Sequence, residues 1–329
     1  MGSSENRFLA LLRARGEDPV IVAHRGDSYR APENTMEAAR LAWQAGAPAW
    51  ELDVQLTRDG VPVVLHDESL LRTTDVAARF HDDPRGLAGF RVSDFDYNEI
   101  RALDAGSWFV ADAGGPCSAR SFGTLHHLDL ESVALYRSGR VTIPTLTEAL
   151  IFTKEHDWLA NVELKSFPDG PPGLVERALD VIQQTGTASR VLISSFDHSD
   201  VARANRQGRE YALGILTLTP LYRSYEYATE LVGADSVHVS REVLGTESIA
   251  YRRGPGATSL RADLVAELKK RDIPILVYTV NSRGPESLAE HLALIGVNGL
   301  FTDNPQGLSE SNLLKVPDGE ALSEPEKAA

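Results

Sequence analysis

Apolar positions along this chain fall in short runs, not long stretches. Runs of β-branched or otherwise apolar residues at 20–23, 49–56, 159–164, 191–194, 212–216, 236–239, 273–280 and 299–302 have the length of buried strands. Most of the intervals between them carry helical spacing, as in Leu260, Leu264, Val265 and Leu268, or Leu288, Leu292 and Ile295. Eight strands alternating with helices predict an α/β fold, a (β/α)8 TIM barrel whose functional loops lie at the carboxyl ends of the strands. A doubly wound open sheet is the competing topology.

Helix punctuation agrees with the alternation. Asn34 with Glu37, and Thr145 with Glu148, have the three-residue offset of a capping box. Gly46, Gly208 and Gly296 follow helical patterns where a left-handed cap belongs, and Pro285 suits a first helical turn. Two interruptions break the pattern. In the first, Asp59 and Gly60 separate the runs 49–56 and 61–65 and predict a tight hairpin that ends at His66. The second, from 69 to about 142, is too long for an ordinary connection and predicts a large insertion after the second strand, a lid or subdomain over the barrel mouth.

Within that insertion Trp108 and Phe109 are expected to pin it to the barrel, while His126 and His127, lacking any ligand spacing, are expected to face solvent. The barrel is expected to occupy 19–315 as a single domain, between a peripheral extension at 1–18 and a disordered tail at 316–329 rich in Glu, Pro, Ala and Lys.

Composition narrows the chemistry. Of 329 residues, 42% are hydrophobic and 24% charged, which excludes a disordered or collagen-like chain. Lys plus Arg total 33 against 47 acidic residues, and the resulting charge of −14 excludes nucleic acid as an expected partner. A phosphate-bearing substrate must therefore meet local positive charge. One cysteine, Cys117, cannot form an internal disulfide, and 1–19 lacks the apolar core of a secretory signal, so a cytoplasmic location is expected. No run reaches the length of a membrane span, and no integral membrane association is expected.

Candidate chemistry gathers at predicted strand ends. The first strand delivers His24 and Arg25, the hairpin ends at His66, and the second strand ends in Glu51-Leu52-Asp53. Side chains alternate along a strand, so Glu51 and Asp53 point to one side. A later strand repeats the device with Glu163 and Lys165. Three carboxylates in a barrel interior require neutralisation, and a hard divalent cation with oxygen ligands supplies it. Lys165 then places an ammonium beside the cation, an arrangement suited to a phosphate. Taken singly, Glu51 and Asp53 suit an exposed edge strand, His24 a satisfied core position, and Arg25 a surface ion pair. Asn34 is read as a helix cap without a catalytic part. Taken together on one rim, His24 and His66 offer the two proton-transfer groups that phosphodiester cleavage needs.

The ordered motifs AHRG at 23–26, APENT at 31–35, ELDVQLTRDGVPVVLHD at 51–67, LDAGSWF at 103–109, IPTLTEAL at 143–150, VELK at 162–165 and FTDNP at 301–305 resemble those of the glycerophosphodiester phosphodiesterase family. The resemblance implies a (β/α)8 barrel and hydrolysis of small-molecule glycerophosphodiesters to glycerol 3-phosphate and an alcohol, through a cyclic phosphate. It implies Glu51, Asp53 and Glu163 as ligands of one divalent cation, Mg²⁺ or Ca²⁺ with Mn²⁺ as a variant. It further implies His24 and His66 as acid and base, and Arg25 and Lys165 as a phosphate clamp. Where the family commonly has Trp before Thr-Val-Asn, this chain has Tyr278, which is assigned to substrate binding. Lysophospholipase D activity at the same site and noncatalytic phosphodiester binding are the rival readings. An amidohydrolase barrel would show a His-x-His pair leaving the first strand, and only His24 is there.

Overall fold

The apolar runs become the strands of one closed barrel in the computed structural model, which describes residues 5–14, 18–208, 210–245, 261–281 and 287–309. β1 (Val20–Ala23) is followed by β2 (Ala49–Leu56) and by β3 (Pro62–Val64), which runs antiparallel to β2 as the outer arm of the expected hairpin. The remaining strands are β4 (Leu159–Leu164), β5 (Val191–Ser195), β6 (Ala212–Thr217), β7 (Ser236–Ser240), β8 (Ile275–Tyr278) and β9 (Gly299–Thr302). β1 pairs in parallel with both β2 and β9, and this double pairing closes eight strands into a TIM barrel and rules out the open sheet. The run at 273–280 is shorter as a strand than its apolar pattern, because pairing with β7 extends only from Ile275 to Tyr278.

Local signals account for most helix ends. Thr145 and Glu148 form a reciprocal capping box, and Gly46 and Gly296 adopt the left-handed conformation just past their helices. Gly208 does not; it ends its helix at φ 153°, ψ 176°. Asn34 is corrected as well. The cap of the helix Met36–Gln44 is Thr35, whose Oγ1 accepts from the Ala38 amide at 3.3 Å. Leu260, Pro285 and the tail 316–329 lie outside the described residues.

The N-terminal extension is not peripheral. Helix α1 (Arg7–Ala14) turns Phe8, Leu9 and Leu12 into the bottom of the barrel, where they pack with Val20, Leu159 and Leu276. Asn6 fixes the approach by accepting from the Phe8 amide and donating to the Val191 carbonyl. The Phe-Leu-x-x-Leu stripe was too short to register as an element by periodicity alone. No helix among the described residues is long and apolar enough to cross a membrane.

Residues 69–142 form short helical turns around two apolar clusters. One, centred on Leu70, Phe95 and Leu103, is rooted on Val63 and Leu65 of the hairpin. The other joins Phe109, Val110 and Tyr136 to Ala31 and Ala38, so Phe109 does pin the segment to the barrel shell. His126 and His127 are exposed.

The barrel interior carries one buried histidine. His238 on β7 contacts Ser236 Oγ through Nε2 at 3.0 Å, and its Nδ1 finds no hydrogen-bond partner among the described residues. A Cβ on Gly214 would lie 2.7 Å from His238 Nε2, so the absent side chain at 214 is what makes room for the ring. Burial lowers the His238 pKa to about 3. The unfolded chain takes up this proton near pH 6.5 and the folded chain only near pH 3, so this group makes stability fall as pH drops between those values. Above pH 6.5 its effect is constant. The slope is at most about 1.4 kcal/mol per pH unit. We expect His238→Gln to lose less stability than the parent between pH 7 and pH 4.5, read as the change in urea midpoint; equal losses would remove His238 as a contributor to acid sensitivity.

Candidate active site

Register assembles the acidic cluster. β2 and β4 pair so that Asp53 stands opposite Glu163 and Glu51 opposite Asn161. The inward positions of both strands thus deliver Glu51, Asp53 and Glu163 to the carboxyl end of the barrel, where one oxygen from each lies within 4.8 Å of the others. All three are buried.

Their neighbours treat them unequally. Glu51 Oε2 accepts from the Arg25 amide at 2.9 Å, while Glu51 Oε1 is buried without a partner among the described residues. Burial first, then Asp53 and Glu163, push the Glu51 carboxyl well above its ordinary range. Asp53 behaves oppositely. Burial would raise it, but the charges of His66, Arg25 and Lys165 and a 2.8 Å hydrogen bond from Asn34 Nδ2 outweigh burial and hold it below the usual carboxylate range. Lys165 Nζ lies 2.9 Å from Glu163 Oε1 and 3.7 Å from Asp53 Oδ1, and Arg25 Nε lies 3.3 Å from Asp53 Oδ2. Three oxygen donors with an unpartnered buried Oε1 and no soft ligand fit a hard dication.

Two histidines face the same pocket in the same way. His24 Nδ1 meets Asp303 Oδ1 at 2.6 Å, and His66 Nδ1 meets Asp67 Oδ1 at 2.7 Å. A carboxylate can only accept, so each Nδ1 donates, and the Nε2 of each ring is the nitrogen left to carry or release a proton toward the pocket. His24 Nε2 is 4.0 Å from Glu51 Oε2. Asp303 is steadied by Ser28 Oγ and by Asn281 Nδ2, which donates at 2.6 Å. Burial would raise Asp303, yet His24 and Asn281 hold it at about 2.

The pocket is lined by the polar His24, Arg25, Glu51, His66, Glu163 and Lys165 and by the apolar or aromatic Phe196, Leu216, Tyr278 and Phe301. Every site residue expected from the sequence is therefore brought to one place. None of the described lining residues comes from 69–142. Sequence reasoning gave no role to Asp67, Asp303 or Arg72, and it misread Asn34, which sits at φ 58° and bonds both the side chain and the amide of Asp53. Asp67 and Asp303 lay inside the quoted LHD and FTDNP motifs, and an acid beside a rim histidine was the available signal.

The family model for the glycerophosphoryl diester phosphodiesterase family matches residues 24–307. The chain belongs to that family. As a member it is a phosphodiesterase, a hydrolase on a TIM barrel. It is 30% identical to a glycerophosphodiester phosphodiesterase of Caldanaerobacter subterraneus subsp. tengcongensis, over 88% of this chain and 96% of the relative. A Bacillus altitudinis glycerophosphodiester phosphodiesterase is 31% identical over 87% of this chain and 94% of its own. Among solved structures, an Oleispira antarctica phosphodiesterase in complex with the product sn-glycerol-3-phosphate superposes with a TM-score of 0.67 at 26% identity, covering 89% of this chain and 96% of that one.

In this phosphodiesterase the unequal carboxylates generate a stability prediction. With divalent ions chelated, Glu51→Gln should melt at or above the parent, because it replaces a buried carboxyl whose ionisation burial, Asp53 and Glu163 oppose with a neutral group of the same shape. Added Mg²⁺ or Ca²⁺ should raise the melting midpoint of the parent in a concentration-dependent way and leave Glu51→Gln and Glu163→Gln unmoved. Equal shifts in all three proteins would place the ion elsewhere.

Proposed function

We propose that this phosphodiesterase hydrolyses glycerophosphodiesters to glycerol 3-phosphate and an alcohol, with His24 and His66 as its proton-transfer pair. The observation that carries the reading is the shared arrangement of the two rings, each held through Nδ1 by a carboxylate and each lining a pocket that also holds Arg25, Lys165, Glu51 and Glu163, with Asp53 clustered behind them. The product complex of the Oleispira antarctica relative supports the same product class.

The steps follow from these groups. Arg25 and Lys165 attract the nonbridging phosphoryl oxygens, and Lys165 is kept charged because Asp53 and Glu163 outweigh the opposing effect of its burial. One neutral histidine removes the proton of the glycerol 2-hydroxyl, whose oxygen then attacks phosphorus. The other, protonated, donates to the departing alkoxide. A cyclic phosphate results, and water opens it with the two rings exchanging roles. Internal attack needs no second molecule to be positioned, which favours it kinetically. A divalent cation held by Glu51, Asp53 and Glu163 would supply neutralisation of the charge growing on phosphorus oxygens.

His24→Ala and His66→Ala should each lower turnover of glycerophosphocholine by about 10²- to 10⁴-fold with an unchanged circular dichroism spectrum and melting midpoint. Retained activity in both variants would defeat the reading.

One observation favours a second reading, lysophospholipase D activity at the same site. Phe196, Leu218 and Tyr222, on the loops after β5 and β6, are 41%, 64% and 90% exposed, and Phe196 also lines the pocket. Exposed apolar side chains on the loops at this end of the barrel, one of them lining the phosphodiester site, suit an acyl chain on the leaving side. Choline release from lysophosphatidylcholine faster than from glycerophosphocholine would establish it; a preference for the water-soluble diester would dismiss it.

A further inference from the structure

One fully engaged side chain beside the pocket is not used by the chemistry above. Arg72 opens the 69–142 segment, and its guanidinium presents an edge to each of two carboxylates. Nη1 and Nη2 donate to Glu33 Oε2 and Oε1, both at 2.7 Å. Nε and Nη2 donate to Asp67 Oδ2 and Oδ1 at 2.6 and 3.0 Å. Glu33 also accepts from Arg25 Nη1 at 2.7 Å, and Asp67 from His66 Nδ1 at 2.7 Å. An unbroken chain therefore runs Arg25, Glu33, Arg72, Asp67, His66, joining the loop after β1 to the loop after β3.

Each link is constrained. Glu33 is 6% exposed and depends on two guanidiniums for its countercharge. Asp67 is gripped on both oxygens by Arg72, so it cannot turn about its own axis, and the imidazole bonded to it is fixed in orientation. Only a planar fork satisfies two carboxylates at once; an ammonium on a flexible stem is a point charge. The Trp108 ring stands 5.8 Å from the Arg72 guanidinium carbon and covers the network from the insertion side.

We propose that Arg72 is a positioning residue that aligns His66 through Asp67 and Arg25 through Glu33, so that the insertion sets the geometry of a pocket it does not line. The inference rests on the proton-transfer role given to His66 above. Its test compares the parent, Arg72→Met, Arg72→Lys, Asp67→Asn and the double variant Arg72→Met/Asp67→Asn, by steady-state kinetics on glycerophosphocholine with Mg²⁺, by melting midpoint, and by the ring nitrogen resonances of His66 assigned against His66→Ala.

Arg72→Met should lower kcat by about 10- to 100-fold, more than it raises KM. Arg72→Lys should recover the melting midpoint without recovering kcat, because charge is restored and the fork is not. The double variant should turn over within about threefold of the slower single variant, since both changes cut the same link. The His66 Nδ1 resonance should move in Arg72→Met while that of His24 stays. Full kcat in Arg72→Lys, or a double loss equal to the product of the single losses, would overturn the proposal. If Arg72→Met fails to fold, Arg72→Lys decides by the same criterion. If the parent cleaves no glycerophosphodiester, the functional reading falls, and an unmoved His66 resonance in the Arg72 variants is then the result that overturns the positioning role.

Discussion

Three carboxylates, one oxygen of each within 4.8 Å of the others inside a closed barrel, set the terms for the rest of the molecule. Their proximity is dictated by backbone pairing, because the β2–β4 register puts Asp53 against Glu163 and leaves Glu51 one inward position below. The protein supplies two cationic side chains, and both lean on the upper pair: Lys165 on Glu163 and Asp53, Arg25 on Asp53 through its side chain. Glu51 accepts from the Arg25 amide, has His24 Nε2 at 4.0 Å from the same oxygen, and keeps its other oxygen unpartnered among the described residues. The cluster is thus neutralised at one end and in deficit at the other. Such a cluster of buried oxygens is able to hold a hard cation, and Glu51 is the member least compensated by the protein itself.

The same architecture orients the two histidines by different routes. His24 leans on Asp303, which lies 279 residues later and arrives beside it only because β9 pairs with β1. Its orientation is a consequence of barrel closure. His66 leans on the next residue, Asp67, whose own position depends on Arg72 at the head of the insertion. One ring is tied to the strand pairing that closes the barrel and the other to a local network of side chains.

Much of this was legible in the chain. Strand ends, the period-two placement of Glu51 and Asp53, and the hairpin at Asp59-Gly60 follow from local stereochemistry, and local rules survive folding. What escaped is long-range or ambiguous. Asn34 precedes a helix with Glu37 at the capping offset, and a one-residue shift, with Thr35 taking the cap, releases it to bind Asp53. Arg72 and Glu33 are 39 residues apart and nothing in spacing announces their pairing. Helix α1 was hidden because a single short apolar stripe in a polar stretch is indistinguishable from an extension until the barrel bottom it fills is visible.

The aromatic lining of the pocket bears on the departure at Tyr278. Its hydroxyl is used away from the charged side, donating to the Thr217 carbonyl at 2.8 Å, and its ring meets Phe196 edge to face at 5.9 Å. The position therefore contributes a ring face to the apolar wall and no polar atom to the reacting centre. Tyrosine here keeps the wall that an indole would form, while the bond to Thr217 ties β8 to β6 across the mouth. Lys165 Nζ lies 5.7 Å from the Phe196 ring, so charged and aromatic lining side chains meet directly at this point, and a cation–ring attraction there helps hold the ammonium beside the carboxylates.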